Sequence, residues 1–114
     1  MLSNMHRMEE TMNEELLSNF KQKLSDGKPV FGPFMKTCDP AFVEAAGYAN
    51  MDFAILDMEH GPGNIENMQN NIRAAQLSGI LPIVRVSSLT EEAVGRALDI
   101  GAAGVEIPQI TNAQ

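Results

Sequence analysis

The feature that most constrains this 114-residue sequence is a recurring unit, in which a short apolar run is followed by a helical pattern. The unit returns about every 25 residues, which is the spacing of strands that alternate with helices. Strands joined through helices of this length must be parallel, with right-handed crossovers. The predicted strands are Val30–Phe34, Phe53–Asp57, Leu81–Val86 and Gly104–Ile107.

The helices between these strands have clear start and stop signals. Residues of the N-cap type come first, and glycines follow near the predicted ends. The predicted caps are Asp39 (followed by Pro40), Asn64 and Thr90, and the stops are Gly47, Gly79 and Gly101. An earlier amphipathic stretch predicts a first helix over residues 13–25. We expect residues 1–11 to be a disordered leader and residues 12–114 to belong to one domain.

The predicted order, α(βα)₃β, places the chain in the α/β class. Two architectures fit it, a doubly wound open sheet and part of a (β/α)₈ TIM barrel. The glycine-rich phosphate loops of nucleotide-binding folds do not occur in the sequence. A complete barrel takes about 250 residues, and four strands would leave an apolar edge strand. We therefore expect the N-terminal part of a longer domain, truncated after the fourth strand.

Charge and cysteine content narrow the possible partners and location. The formal net charge of −7 argues against binding to nucleic acids or anionic membrane surfaces. No apolar run approaches the roughly 20 residues of a membrane span. The single cysteine, Cys38, cannot form an internal disulfide. We therefore expect a cytoplasmic protein without nucleic-acid or membrane partners.

Two acids and a histidine follow the second predicted strand directly. Asp57, Glu59 and His60 stand where the apolar run ends and Gly61-Pro62-Gly63 begins. The carboxyl ends of parallel strands are where sites are built in both candidate architectures. The alternative is an ordinary loop, with acids that favour the dipole of the next helix. Neighbouring residues at a strand end rarely all bind one metal ion, and no zinc-type spacing occurs.

Arg85 and Asp99 stand at positions where their charge is unfavourable for the predicted local structure. Arg85 lies within an apolar strand, where a guanidinium needs an anion. That anion is either a side chain, such as Asp57 or Glu59, or the carboxylate of a ligand. Asp99 falls in the last turn of a helix, where an acid opposes the helix dipole. It is either a functional residue or part of a solvent-exposed helix face. We interpret Cys38 as a passive small residue.

Several stretches of this sequence resemble the HpcH/HpaI aldolase/citrate lyase family. They are GPFMKTCDPAFVEAAGYANMDFAILDMEHGP, PIVRV, ALDIGAAGVEIPQI and TNA, and the resemblance covers about residues 28–113. It implies a (β/α)₈ barrel, usually assembled as a homo-hexamer with sites near subunit interfaces. It also implies a metal-dependent aldolase that cleaves or forms 4-hydroxy-2-oxo acids through a pyruvate enolate, with pyruvate and an aldehyde as its small-molecule partners.

The resemblance also implies a role for each polar residue singled out above. His60 matches the catalytic general base or acid, and Arg85 matches the arginine that holds the pyruvyl oxygens and stabilises the enolate. Asp99 matches the aspartate that pairs with the histidine. Asp57 and Glu59 match acids close to metal-bound waters. A histidine poised near neutral pH and a fixed cation suit such chemistry.

The family's metal ligands, a Glu and an Asp, follow the fourth strand, so we expect no metal ligand and no aldolase activity in this chain alone. A divalent ion (Mg²⁺ or Mn²⁺, possibly Co²⁺) would belong to the full-length protein. Two alternatives stay open. One is a non-catalytic half-barrel that oligomerises or binds a partner, and the other is a citrate-lyase-type enzyme acting on acyl thioesters.

Overall fold

A computed structural model of the chain shows helices and parallel strands in the predicted alternation. It describes the backbone of residues 2–113 and the side chains of residues 7, 8 and 10–113. The helices are α1 (Leu2–Ser25), α2 (Pro40–Tyr48), α3 (Ile65–Ser78) and α4 (Glu91–Asp99). The strands are β1 (Phe34–Met35), β2 (Phe53–Asp57), β3 (Leu81–Arg85) and β4 (Gly104–Glu106). The α/β class predicted from the sequence is confirmed.

The four strands form one parallel sheet in the order β1-β2-β3-β4. Each strand therefore lies beside the next one in the chain, as in the wall of a (β/α)₈ barrel. A doubly wound sheet would reverse its order at a switch point, so the barrel interpretation is the one that the described strands support. In the pairing register, Asp57 is opposite Arg85, and Arg85 is opposite Glu106.

The hydrophobic core lies between one face of the sheet and helices α2, α3 and α4. Leu56 and Val84 from the sheet and Ile72 from α3 are fully buried in it. Helices α2 and α3 approach closely, since a Cβ at Gly47 would lie 2.1 Å from the Ser78 hydroxyl oxygen. This layer fixes the strands in register and thereby positions their carboxyl ends.

Helix α1 lies across the opposite, amino-terminal edge of the sheet. The ring of Phe20 packs edge-on against Phe53 with centroids 5.8 Å apart, and Lys23 forms an ion pair with Asp52. The Asn13 side-chain amide donates a hydrogen bond of 2.8 Å to the carbonyl before β4, at Gly101. The amino edge is thus covered, whereas the carboxyl edge is open for a site. Within the described residues, no helix is both long and apolar enough to cross a membrane.

Some predicted boundaries were wrong. Helix α1 begins at Leu2 rather than near residue 13, so it includes residues 2–11, which the sequence predicted as a leader. Its sequence has no Gly or Pro, which permits a continuous helix. Strand β1 has only two residues, because Pro33 just before it has no N–H to donate.

Truncation of Leu56 should destabilise the whole domain. Leu56→Ala removes a fully buried side chain and should lower the free energy of unfolding by about 2–5 kcal/mol. Leu77→Ala is the matched control, because Leu77 is 81% exposed and its truncation should change stability by less than about 0.5 kcal/mol. Urea denaturation followed by circular dichroism measures both. Equal losses in the two variants would contradict this assignment of the core.

Candidate active site

Two oppositely charged side chains meet at the carboxyl edge of the sheet. Asp57 ends β2 and Arg85 ends β3, and the register places them side by side on one face. Arg85 Nε lies 3.1 Å from Asp57 Oδ1, and Arg85 Nη2 lies 2.8 Å from Asp57 Oδ2. The Asp57 side chain is fully buried and that of Arg85 is 18% exposed. This two-pronged geometry is the strong form of a carboxylate–guanidinium pair.

Asp57 also turns the chain after β2. Its Oδ1 accepts hydrogen bonds from the backbone N–H of Glu59 at 2.8 Å and of His60 at 3.2 Å. Burial by itself would raise the pKa of Asp57, but the hydrogen bonds from Arg85, His60 and Glu59 outweigh it and lower the pKa to about 2. The carboxylate is therefore ionised throughout the neutral range. The turn brings Glu59 and His60 to the same side as Arg85.

His60 and Glu59 complete a four-residue cluster around the guanidinium. His60 Nδ1 lies 2.9 Å from Arg85 Nη2 and 3.3 Å from Glu59 Oε1. Glu59 Oε1 is in turn 3.5 Å from Arg85 Nε. The His60 side chain is 55% exposed and that of Glu59 only 10%. The imidazole thus stands at the open edge, with one ring nitrogen directed at the buried charges.

Arg85 is held firmly but keeps hydrogen-bonding capacity. The Phe34 ring lies beneath it, with the Arg85 Cζ 4.5 Å from the ring centroid. The Asp57 hydrogen bond raises the pKa of Arg85, burial opposes this, and the charges of Asp57, Glu59 and Glu106 add to it. Its hydrogen bonds to described residues involve Nε and Nη2. The two Nη1 protons make no hydrogen bond to a described residue.

Two members of the site were missed by sequence reasoning. Gln109, beyond β4, donates from its side-chain amide to Glu59 Oε2 at 3.3 Å. Its backbone φ of 55° lies in the left-handed region, which is uncommon for a residue other than glycine. Phe34 was predicted only as part of a strand. No local signal in the sequence marks either residue, because both contacts join distant segments.

The structure does not bring Asp99 to this cluster. Asp99 is exposed at the end of α4, just before β4 begins, and so lies at the amino edge near Gly101. A five-residue strand such as β2 spans about 16 Å between the two edges. Asp99 and His60 of one chain are thus at opposite edges of the sheet, Asp99 at the amino edge and His60 at the carboxyl edge. Cys38 is half buried after β1.

The carboxylates of the cluster do not fit a direct metal-binding set. Both Asp57 oxygens are bonded to Arg85, and Oδ1 also accepts two backbone N–H groups. The Glu59 oxygens face Arg85, His60 and Gln109. Among the described residues, no group of three or more His, Cys, Asp or Glu side chains is arranged to hold a metal ion.

Similar proteins agree with the resemblance seen in the sequence. A family model described as HpcH/HpaI aldolase/citrate lyase matches residues 31–114. A 2-dehydro-3,6-dideoxy-6-sulfogluconate aldolase of Pseudomonas putida is 35% identical over 73% of this chain and 32% of its own length. A hydroxypyruvate/pyruvate aldolase of Roseobacter denitrificans is 30% identical over 86% of this chain and 38% of its own length.

A solved structure shares the fold as well. The crystal structure of the citrate synthase SbnG superposes with a TM-score of 0.73 at 36% identity, over 79% of this chain and 37% of that one. The chain therefore spans about a third of the length of the relatives and of the structure that it matches. The described sheet and helices therefore correspond to about a third of the matched citrate synthase structure.

Substitution of Asp57 should cost stability in a pH-dependent way. Asp57→Asn keeps the shape of the side chain but removes the buried negative charge that is paired with Arg85, which should cost about 3 kcal/mol at pH 7. Because folding lowers the pKa of Asp57 to about 2, its contribution is complete above about pH 4 and is lost as the pH falls through 2. The difference between wild type and variant in urea denaturation should therefore shrink over this range.

Glu44→Gln removes the charge of an exposed carboxylate on α2 and serves as the control. Its stability should follow that of the wild type at each pH. A gap between Asp57→Asn and wild type that stays constant from pH 7 to pH 2 would contradict the ionised pair.

Proposed function

The chain belongs to the HpcH/HpaI aldolase/citrate lyase family, and we propose that it carries part of the site of a carbon–carbon lyase that cleaves or forms 4-hydroxy-2-oxo acids. Its curated relatives carry the names of aldolases, which supports an aldolase function for the protein. The observation that carries the proposal is the cluster at the carboxyl edge. There a fixed guanidinium with unused donors lies 2.9 Å from a half-exposed imidazole.

In this proposal Arg85 binds the 2-oxo acid. Its Nη1 donors, free of other described side chains, would hold the carboxylate and the oxygen that becomes the enolate. The bond to Asp57 and the ring of Phe34 fix the guanidinium beforehand, so little reorganisation is needed when charge develops. A lysine would supply the charge without the planar fork.

His60 is the proposed acid–base group. In the cleavage direction it removes the proton of the C4 hydroxyl, directly or through a water, as the C3–C4 bond breaks. The bond electrons move into the pyruvate enolate beside Arg85, and the aldehyde leaves. The enolate then takes up one proton at C3 from the protonated His60, directly or through a water, which gives pyruvate and restores neutral His60. General-base help of this kind is worth about 10²–10⁴ in rate.

A divalent cation is part of the proposal for the full-length protein. The resemblance places its two carboxylate ligands after the fourth strand, and the described cluster lacks a ligand set of its own. When bound, Mg²⁺, Mn²⁺ or Co²⁺ would supply further positive charge next to the enolate oxygen. Asp57 and Glu59 are proposed to lie near its waters.

The proposed pairing of Asp99 with His60 requires a second copy of the chain. The two residues lie at opposite edges of one sheet, about a strand length apart. Asp99 of one subunit would reach His60 of a neighbour only if the amino edge of the first faces the carboxyl edge of the second. The homo-hexamer implied by the resemblance would provide such contacts.

A second candidate function is acyl-thioester chemistry of the citrate-lyase type. The fold shared with a solved citrate synthase favours it. Incubation of the full-length protein with pyruvate plus aldehydes, and separately with acyl thioesters, distinguishes the two. Turnover of the thioesters alone would replace the aldolase proposal.

Loss of His60 should abolish most of the proposed activity. In the full-length protein, His60→Ala should lower kcat for retro-aldol cleavage by about 10²–10⁴-fold. Arg85→Lys should mainly raise KM for the 2-oxo acid, since the two-pronged contact is lost. Release of pyruvate, followed through a coupled dehydrogenase, measures both constants.

Glu66→Gln is the matched control, because Glu66 is exposed in the first turn of α3 at the same edge. Its kinetic constants should stay near those of the wild type. A His60→Ala variant with wild-type turnover would sink the acid–base role.

The proposed Asp99 pairing predicts complementation between subunits. His60→Ala and Asp99→Asn should each be impaired alone, but mixed oligomers should regain activity, because some sites then combine His60 of one chain with Asp99 of another. Dissociation and reassembly of the two purified variants, followed by the retro-aldol assay, tests this. Activity in the mixture equal to the mean of the separate variants would contradict the pairing.

A further inference from the structure

One ring nitrogen of His60 has two partners that require opposite protonation. A guanidinium only donates, so the contact of 2.9 Å with Arg85 Nη2 requires a lone pair on His60 Nδ1. In neutral His60 the proton then sits on Nε2. A carboxylate only accepts, so Glu59 Oε1, which lies 3.3 Å from Nδ1, can accept a hydrogen bond from the ring only when Nδ1 carries the proton. The lone pair is then on Nε2.

The two tautomers differ in what His60 can do. With Arg85 as the partner of Nδ1, the exposed nitrogen carries a proton and can only give it away. With Glu59 as the partner, the exposed nitrogen is free to take one. The hydrogen bond at one nitrogen thus decides the chemistry at the other. Since His60 is the proposed acid–base group, the competition between Arg85 and Glu59 for Nδ1 would determine whether the exposed nitrogen Nε2 can act as an acid or as a base.

Glu59 is held in the position that this competition needs. Its second oxygen, Oε2, accepts a hydrogen bond from the side-chain amide of Gln109 at 3.3 Å, which leaves Oε1 facing the imidazole and Arg85 Nε. Gln109 makes this contact from a left-handed backbone with φ of 55°. Such a conformation costs about 1 kcal/mol or more for a residue with a side chain. Strain of this kind persists where surrounding contacts hold the residue in place.

We infer that Glu59, fixed by Gln109, is a positioning residue that selects the proton-accepting tautomer of His60. The part of this inference that concerns substrate rests on the proposed function. The negative charge of a 2-oxo acid carboxylate bound at Arg85 Nη1 makes Nη2 a weaker donor to His60, and Nδ1 turns to Glu59. His60 stays neutral in this step, because one proton leaves Nε2 to solvent and one reaches Nδ1 from solvent.

This role differs from the one that the family resemblance implies for the histidine's partner. There the carboxylate is that of Asp99, which in this fold lies at the opposite edge. The nitrogen Nδ1 is already enclosed by Arg85 and Glu59 of the same chain. Glu59 therefore orients the ring without a second subunit, and Nε2 is the nitrogen left for Asp99 of a neighbouring subunit.

The test reads the tautomer of His60 directly by NMR of ¹⁵N-histidine-labelled protein at about pH 8.5, where imidazole is neutral. The chain has two histidines, and a His6→Gln variant assigns the signals of His60. We expect the ratio of the Nδ1–H form to the Nε2–H form to fall by about tenfold in Glu59→Gln, because a charge-assisted hydrogen bond is lost. Gln109→Leu should lower the ratio by a smaller factor.

Glu66→Gln is the control with the same charge change at the same edge, and its ratio should equal that of the wild type. An unchanged ratio in folded Glu59→Gln overturns the inference. So does a fall in Asp99→Asn as large as in Glu59→Gln. Circular dichroism shows whether each variant folds. If Glu59→Gln does not fold, Gln109→Leu is the deciding variant: a lowered ratio supports the inference, and an unchanged ratio overturns it.

Addition of pyruvate separates this inference from the proposed function. In wild-type protein labelled with ¹⁵N-arginine as well as ¹⁵N-histidine, pyruvate should move the Arg85 Nε–H signal and raise the share of the Nδ1–H form, whereas Glu59→Gln should show only the first change. If pyruvate leaves the Arg85 signal in place, the proposed substrate role fails while the effect of Glu59→Gln still stands. If Arg85 responds but the tautomer ratio is equal in wild type and Glu59→Gln, the positioning role fails alone.

Discussion

The hydrogen-bonded ion pair between Arg85 and Asp57 is the interaction on which the site depends. A guanidinium at the end of an otherwise apolar strand is costly without an anion. The parallel register of β2 and β3 supplies that anion directly beside it. The same Asp57 carboxylate accepts the backbone N–H groups that turn the chain, so one buried charge both neutralises Arg85 and places Glu59 and His60.

The two edges of the sheet differ in their contacts: the amino edge is packed against helix α1, and the carboxyl edge carries the candidate site. Helix α1 covers the amino edge through apolar packing and the Lys23–Asp52 pair, and the other helices bury one face. The carboxyl edge carries the polar cluster. Of the two interpretations that the sequence left open for Arg85, the pair with Asp57 supports the structural one, and ligand binding through Nη1 is our proposal. The half-exposed imidazole beside it favours a functional site over a loop.

Much of this architecture could be predicted from the sequence, because each element has local signals. Asn64 caps α3 and Gly79 ends it with φ of 87°, as its position predicted. The meeting of Asp57, Glu59, His60 and Arg85 followed from the rule that parallel strands bring their carboxyl ends together.

The features that could not be predicted depend on contacts between segments that are distant in the sequence, or on a local pattern that fits two structures equally well. Gln109 reaches Glu59 across 50 positions of sequence, and its left-handed backbone has no glycine to announce it. The early start of α1 was missed because a polar, methionine-rich stretch resembles a leader as much as a helix. The position of Asp99 shows a different limit. A role taken from a resemblance says nothing about which copy of the chain supplies the residue.

The most direct test of the central claim is a crystal structure of the full-length protein with bound pyruvate. We expect the pyruvate carboxylate within hydrogen-bond distance of Arg85 Nη1, with the Asp57–Arg85 pair intact and His60 facing the methyl carbon of pyruvate. Pyruvate bound away from this edge, with Arg85 hydrogen-bonded to protein groups alone, would contradict the proposed role of Arg85.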